Sequence, residues 1–219
     1  MVGRTKMTQE ITKGRLAKVL SQLKVFENPK ISEEQYPTDS EIAAEILWNS
    51  AMIGDFDEKV IVDLGAGTGI LGIGALLLGA KKITFVEKDS YALGICKENY
   101  QKIKSEFNVG DAEFTEDDVS NYTGKAEVVI QNPPFGTKEE HVDKVFLEKA
   151  FETASVVYSF HKASTKEFIQ QFASQKNFRV THYWEVDFPL KATQKFHTRQ
   201  IHRIKVGVFR FEKSKAQNL

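Results

Sequence analysis

The feature that most constrains the fold is a regular alternation of short apolar runs with longer amphipathic segments from Lys59 onward. Such alternation favours a parallel sheet whose two faces are covered by helices. The predicted strands are KVIVDL, KITFVEKD, AEFTEDD, AEVVIQ, SVVYSF, FRVTHYWEVDF and RIKVGVFRFE. No helical pattern separates the last two, so they should pair antiparallel. The sequence therefore predicts an α/β fold with a mostly parallel seven-stranded sheet, an antiparallel last strand and helices on both faces.

The 58 residues ahead of the first predicted strand have helical character. Residues 8–25 place apolar side chains at helical spacing among basic ones, which predicts an amphipathic lid or docking helix. A second helix is expected over about 39–53, since Thr38 and Glu41 stand at capping-box spacing. A chain of 219 residues is long enough for one well-buried core and short for two. We therefore expect a single domain, 1–219, with a helical extension at 1–58 and a Rossmann-like core at 59–219.

Charge is distributed unevenly, although the formal net charge is zero. Residues 161–219 carry 12 Lys and Arg against 4 Asp and Glu, and residues 1–30 carry 7 against 2. Basic ends fit a nucleic-acid phosphate footprint, but charge alone is described better by solvated helices and strand edges. The single cysteine, Cys96, excludes an internal disulfide, and no apolar run is long enough to span a bilayer. With no signal-like leader, these features favour a cytoplasmic location.

The first core strand ends in Asp63 and continues into a glycine-rich turn, DLGAGTG, that opens a helix. Gly65, Gly67 and Gly69 leave room for a nucleotide-like ligand against the backbone. Glu87 ends the next strand, about 20 residues later, where an acid can accept hydrogen bonds from ribose hydroxyls. Dinucleotides and S-adenosylmethionine both use such a turn. The missing Gly-x-x-Gly continuation argues against a dinucleotide.

The fourth core strand ends in Asn132, Pro133, Pro134 and Phe135, at the edge where open α/β sheets bind ligands. A planar amine is oriented when two acceptors take its two hydrogens. The Asn132 side-chain oxygen and the Pro133 carbonyl could do this, so that the amine lone pair faces a sulfonium methyl. The two prolines stiffen the loop, so catalysis would be mostly positioning, with no dedicated base. Phe135 could stack on the target base, which must be unpaired or flipped out.

With both loops placed, the chain resembles the class I S-adenosylmethionine-dependent methyltransferases. Within them it is similar to the family of methyltransferase-like protein five and its archaeal relatives, the small-subunit ribosomal RNA adenine-N6 methyltransferases. The matching segments, which span nearly the whole chain, are EQYPTDSEIAAEIL, DLGAGTGILGIGALLLGA, NPPFGTK, VVYSFHKAST and KFH. The resemblance implies catalysis by the NPPF loop. With the glycine turn, it implies cofactor contacts at Gln35, Thr38, Asp63, Gly65, Gly67, Thr68, Gly69, Ile70, Glu87, Asp118 and Val119. The family often has Asp where Glu87 stands and Cys where Ala66 and Thr68 stand, and neither difference removes a necessary function.

RNA contacts are expected from two polar stretches. His161, Lys162, Ser164 and Thr165 follow the fifth strand on the same edge as NPPF, where they could hold a flipped nucleotide or simply begin a helix. The loop between the last two strands mixes cations with an aromatic ring, a composition suited to RNA, although a solvated hairpin would look similar. Its residues are Lys191, Lys195, Phe196, His197, Arg199, His202 and Arg203.

Several alternatives remain open at this level. Asp118 could bind the cofactor adenine or be a solvated loop acid. The histidines and the cysteine show no zinc-ligand spacing, so no bound metal is predicted. The resemblance implies small-subunit ribosomal RNA as the substrate and a small zinc-binding activator protein as a candidate partner. Guanine-N2 ribosomal RNA methyltransferases and protein glutamine-N5 methyltransferases share the Asn-Pro-Pro-aromatic loop, but they usually carry an additional N-terminal domain. A non-catalytic RNA-binding scaffold would not need both loops intact.

Overall fold

The computed structural model describes residues 11–26, 37–135, 142–190 and 202–214. Its helices are α1 Lys13–Leu20, α2 Ser40–Ile53, α3 Ile70–Leu77, α4 Ser90–Glu106, α5 Val142–Thr153 and α6 Lys166–Gln175. Its strands are β1 Val60–Leu64, β2 Lys82–Glu87, β3 Asp111–Glu116, β4 Val128–Gln131, β5 Val156–Lys162, β6 Phe178–Leu190 and β7 His202–Lys213. Short 3-10 turns lie at Val119–Asn121 and Ala163–Thr165.

The seven strands form one sheet in the order β3-β2-β1-β4-β5-β7-β6. Strands β1 to β5 pair in parallel with their neighbours, and β7 is antiparallel to both β5 and β6. The predicted fold class is therefore confirmed, including the antiparallel last strand. The strand order reverses at β1 and β4, and this switch point is where sheets of this type bind ligands.

Two hydrophobic cores lie on the two faces of the sheet, because successive strand residues point to opposite sides. In β1, Ile61 packs with the core formed by α1 to α4, whereas Val62 and Leu64 pack with the core that includes α5 and α6. The apolar runs recognised in the sequence are thus strands that are buried on both faces. None of the helices in the described residues has the length and apolar character that crossing a membrane requires.

The N-terminal region differs from the sequence-based expectation in two ways. Helix α1 is shorter than predicted and is part of the core, because Leu16 and Leu20 are almost completely buried against α2 and α3. The prediction of a separate lid or docking helix is therefore wrong. The N-cap of α2 is Asp39, whose carboxylate accepts hydrogen bonds from the first turn, and not Thr38. Thr38 has a different partner, in the active site.

A buried polar network joins the connection between α2 and β1 to the strands β5, β7 and β6 at one edge of the sheet. Asp55, in this connection, accepts two hydrogen bonds from the Arg210 guanidinium, at 2.7 and 3.0 Å, and a third from the Tyr158 hydroxyl. Arg210 also donates to the Thr181 hydroxyl. Both charged side chains are about nine-tenths buried, at 8% and 12% exposure. A buried ion pair of this kind is stable only when its remaining hydrogen bonds are also made.

Candidate active site

A cavity of about 420 Å³ opens at the carboxyl ends of β1, β2 and β4. Most of the residues predicted to bind the cofactor line it. They are Thr38, Asp63, Gly65, Gly67, Thr68, Ile70, Glu87, Asp118 and Val119, together with Asn132 and Pro134 of the predicted catalytic loop. The fold thus brings together five segments that are distant in the sequence.

The glycine-rich turn forms one wall of this cavity and needs its glycines. Gly65, Gly67 and Gly69 have φ values of 68°, 54° and 88°, in the left-handed region that L side chains rarely adopt. A Cβ atom at Gly65 would lie only 2.7 Å from the ring of Phe146. Gly69 is the N-cap of α3 and has no side chain to intrude on Cys96. The turn therefore exposes backbone to the cavity.

Two acidic side chains, Asp63 and Glu87, accept hydrogen bonds from backbone amides of the glycine-rich turn and of the helix that follows it. Asp63 is buried at 1% exposure, and its Oδ2 accepts a hydrogen bond from the Gly72 amide at 2.9 Å. The pKa of Asp63 is raised to about 7, mainly by burial and to a smaller extent by the nearby Glu87 charge, while the hydrogen bond from the Gly72 amide lowers it. Glu87 accepts hydrogen bonds from the amides of Gly67 and Asp89, each at 2.9 Å. Glu87 therefore ties the turn to the start of α4 and still faces the cavity.

Asp118, which follows β3, also lines the cavity. Its Oδ1 accepts hydrogen bonds from the amide and hydroxyl of Ser120, at 2.9 and 2.7 Å, so it caps the 3-10 turn that begins at Val119. These bonds lower its pKa, and the carboxylate stays ionised. Asp118 lines the cavity and is also exposed to solvent, so its two interpretations, a cofactor contact and a solvated loop acid, both stay predictions.

Asn132 has the most informative environment in the cavity. Its side-chain amide donates from Nδ2 to the Thr38 hydroxyl oxygen at 3.0 Å, which sets the orientation of the amide group. Its Oδ1 is buried and has no hydrogen-bond partner among the residues that the structure describes. A buried acceptor without a partner costs free energy, so such atoms usually have a ligand or other role. Asn132 Oδ1 is thus positioned to accept a hydrogen bond from a ligand in the cavity.

The rest of the predicted catalytic loop is arranged around this amide. Pro133 is buried and Pro134 lines the cavity. Phe135 is half-buried and packs edge-to-face on Phe188 of β6, with ring centroids 5.6 Å apart. Its ring lies beside the cavity and not among the residues that line it. This contact holds the Phe135 ring against β6.

His161 is a correction to the predicted RNA-binding set. It lies within β5 at 2% exposure, where its Nε2 is 2.7 Å from the Ser159 hydroxyl. Burial lowers its pKa to about 3, so the ring is neutral. The Ser159 hydroxyl also accepts a hydrogen bond from the Gln131 side-chain amide at 2.9 Å, so the ring belongs to a buried polar group on β4 and β5. A buried neutral ring of this kind belongs to the interior and is not a phosphate ligand.

The other predicted RNA contacts divide into two groups. Lys162 ends β5 and is half-exposed, Ser164 is exposed, and the Thr165 hydroxyl donates to the Lys162 carbonyl at 2.8 Å. These three residues lie near the catalytic loop, since Lys162 and Thr165 share a small pocket with Pro134 and Phe135. Gln35, Lys191, Lys195, Phe196, His197 and Arg199 lie outside the described residues, as does the side chain of His202. Arg203 is exposed on β7.

Sequence reasoning missed the apolar walls of the cavity. They are formed by Phe26, from the segment after α1, and by Val145 and Phe146 of α5. Each has the ordinary hydrophobic character of a core residue, so no local signal distinguished them. Lys88 and Ser120 also line the cavity. Among the described residues, no group of three or more His, Cys, Asp or Glu side chains could hold a metal ion.

These features fit S-adenosylmethionine. The glycine turn admits a nucleoside against the backbone, the carboxylates of Glu87 and Asp118 can accept hydrogen bonds from hydroxyl and amino groups, and the apolar walls can cover an adenine ring. Asn132, whose buried Oδ1 has no hydrogen-bond partner among the described residues, lines the same cavity. The fold and the site together define a class I S-adenosylmethionine-dependent methyltransferase.

Comparison with known proteins identifies the family. The family model described as conserved hypothetical protein 95 matches residues 24–188. An uncharacterized protein of Methanocaldococcus jannaschii is 38% identical over 210 residues, 93% of this chain and 95% of its own length. The rRNA N6-adenosine methyltransferase METTL5 of Danio rerio is 37% identical over 203 residues, 90% of this chain and 96% of its own. A crystal structure from Pyrococcus horikoshii, provisionally assigned as an RNA methyltransferase, is 41% identical with a TM-score of 0.85, covering 94% of this chain and all of that one.

The chain therefore belongs to the conserved hypothetical protein 95 family and, within it, to the group of rRNA N6-adenosine methyltransferases represented by METTL5. The recognition made from the sequence motifs is confirmed. So is the expectation of S-adenosylmethionine as the cofactor.

Proposed function

We propose that this protein transfers the methyl group of S-adenosylmethionine to N6 of an unpaired or flipped-out adenosine in small-subunit ribosomal RNA. The observation that carries the proposal is the buried, unpaired Oδ1 of Asn132 at the edge of the cofactor cavity. Adenosine in ribosomal RNA is supported by the named activity of the METTL5 relatives, whose likeness extends over about nine-tenths of the chain. The loop motif alone could not distinguish adenine from guanine or glutamine.

The proposed mechanism is positioning of the target amine. Asn132 Oδ1 accepts one amine hydrogen and the Pro133 carbonyl accepts the other, so the nitrogen lone pair is directed toward the cofactor side of the cavity. The bound cofactor supplies an electrophilic methyl group. Thr38 accepts a hydrogen bond from the Asn132 side-chain nitrogen, so the side-chain oxygen is left to face the target amine. This arrangement is built before substrate arrives, which is the way preorganised hydrogen-bond groups accelerate reactions.

The surrounding residues are proposed to bind RNA and cofactor. Phe135, which packs edge-to-face on Phe188, stacks on the target base. Lys162, Ser164 and the basic loop at 191–199 contact the RNA backbone. Residues 1–219 act as one cytoplasmic methyltransferase domain, and a small zinc-binding activator protein is a partner to be tested. The two cores on a single continuous sheet support the one-domain proposal.

The test is an assay of modified nucleosides. The purified protein is incubated with S-adenosylmethionine and unmodified small-subunit ribosomal RNA, with and without an added activator protein, and the digested RNA is analysed by mass spectrometry. We expect N6-methyladenosine. Asn132→Ala should lower kcat by about 10²–10³, the usual effect of removing one hydrogen bond that orients a reacting group. Thr38→Val, which removes only the hydroxyl that holds the amide, should give a smaller loss.

Asn121→Ala is the matched control, because Asn121 is exposed and does not line the cavity. Formation of N2-methylguanosine in place of N6-methyladenosine would overturn the substrate assignment. Equal activity of Asn132→Ala and Asn121→Ala would overturn the role given to Asn132. If no nucleoside is methylated with either preparation, the proposed small-subunit ribosomal RNA substrate is wrong, and peptide glutamine would be the next acceptor to assay.

A further inference from the structure

The segment that follows α1 is held by one side of α4 at three points. Lys102 donates from Nζ to the Gln22 carbonyl at 3.0 Å. Asn99 hydrogen-bonds both backbone groups of Lys24, accepting from its amide at 2.8 Å and donating to its carbonyl at 3.0 Å. Glu98 forms an exposed ion pair with the Lys24 side chain. Of these three contacts, only the one made by Asn99 is partly buried.

Asn99 also reaches the cofactor turn. Its side-chain nitrogen donates a second hydrogen bond, at 3.0 Å, to the carbonyl of Thr68 in the glycine-rich turn. The residue is 1% exposed, and its bond to Thr68 is buried, whereas its two bonds to the Lys24 backbone are partly buried. One amide group therefore connects the N-terminal segment, α4 and the cofactor turn. The pattern needs one acceptor and two donors, which an asparagine amide supplies.

Phe26, two residues beyond this contact, forms part of the cavity wall. It lines the cavity on the side of the glycine turn, and its ring lies 3.6 Å from the position of a Cβ atom on Gly67. Phe26 is separated by one residue, the exposed Val25, from the backbone that Asn99 holds at Lys24. The ring is half-buried although it precedes the first core strand by more than 30 residues in the chain.

We infer that Asn99 is a positioning residue for the cofactor: it holds the Lys24 backbone against the glycine turn and thereby keeps Phe26 in the wall of the cofactor cavity. The inference rests on the assignment of S-adenosylmethionine to this cavity and is independent of which base is methylated. It assigns a role in cofactor binding to Phe26 and Asn99, which lie outside both the glycine-rich turn and the NPPF loop. Asn99 does not line the cavity itself and acts through two residues that do, Phe26 and Thr68.

The test uses binding of S-adenosylhomocysteine, the reaction product, measured by calorimetry on the whole protein. Asn99→Ala and Phe26→Ala should each weaken binding by about tenfold, the effect of losing one good contact. Because both substitutions remove the same wall, the double variant should be no more than about threefold weaker than the weaker single variant, and this non-additivity marks coupled residues. Lys102→Ala and Glu98→Gln are matched controls, since they remove the exposed contacts of the same segment, and both should bind within about twofold of wild type.

A second readout needs no ligand. Asn99→Ala should speed hydrogen exchange of the Lys24 amide, which loses its acceptor, without affecting the amides of β1, because only the local opening becomes easier. If Asn99→Ala does not fold, Asn99→Asp keeps the shape and the acceptor but loses both donated bonds, and Phe26→Ala tests the wall directly.

The results distinguish the two assignments. Wild-type binding combined with unchanged affinity of the Phe26→Ala variant, or with fully additive losses in the double variant, would overturn the inference alone. Failure of the wild-type protein to bind S-adenosylhomocysteine would overturn the cofactor assignment, and the inference with it. Failure of RNA methylation with intact binding would leave the inference supported and the proposed substrate wrong.

Discussion

Replacing Gly65 with alanine should reveal how tightly the cofactor turn is built. Gly65 has a φ of 68°, and an alanine held there costs about 1–2 kcal/mol. Its Cβ would also lie 2.7 and 3.1 Å from two atoms of the Phe146 ring. Moving that ring out of a packed core adds about 1–3 kcal/mol. The total expected loss in the free energy of unfolding is therefore about 2–5 kcal/mol.

Two other glycines separate these contributions. Gly67 shares the left-handed conformation, with a φ of 54°, but its Cβ would meet Phe26 at an ordinary 3.6 Å. Gly67→Ala should thus lose only the conformational part, about 1–2 kcal/mol. Gly94 lies inside α4 with open space around it. Gly94→Ala should stabilise the protein by about 0.5–1 kcal/mol, because alanine favours the helix.

The assay is urea-induced unfolding followed by circular dichroism, with stability taken from the midpoint and slope. Calorimetry with S-adenosylhomocysteine provides a second measurement, since Phe146 is a wall of the cavity and its displacement should weaken binding. Equal stabilities of the Gly65→Ala and Gly67→Ala variants would show that Phe146 yields freely. If both matched wild type, the reasoning that the turn requires glycine would be refuted.

Two further predictions concern groups buried outside the cavity. Asp55→Ala should lower the free energy of unfolding by about 3–5 kcal/mol, because it leaves the buried Arg210 charge unpaired; Asp187→Asn, which breaks an exposed pair with Lys205, should change it little, and comparable urea midpoints would contradict this. Burial lowers the pKa of His161 to about 3 from 6.5, so the unfolded chain binds the extra proton and stability is lost as the pH falls below 6.5. Relative to His161→Gln, the wild type should lose about 1.4 kcal/mol between about pH 7.5 and about pH 5.5, and a pH-independent difference between the two would show that the ring is not held neutral.

The fold and the chemistry of the site could be predicted from the sequence because their signals are local. Periodic apolar runs identify buried strands and helices, and the connection pattern restricts their topology. The glycine turn needs three glycines within a few residues, and the NPPF loop carries its acceptor groups on adjacent residues. Local motifs therefore suffice to predict Asp63, Glu87, Asn132 and Pro134 as residues of the site, and all four line the cavity.

Only the tertiary structure decided which distant residues meet. Thr38 and Asn132 are 94 positions apart, and Lys24 and Asn99 are 75 positions apart, yet each pair is joined by a hydrogen bond. In the sequence, Thr38 fits a helix cap equally well, and His161 fits a surface contact with RNA. The neighbouring residues in the sequence do not show which group a polar side chain will bond or how deeply it will be buried. These assignments depend on the order of strands in the sheet and on long-range packing, and both are properties of the whole folded chain.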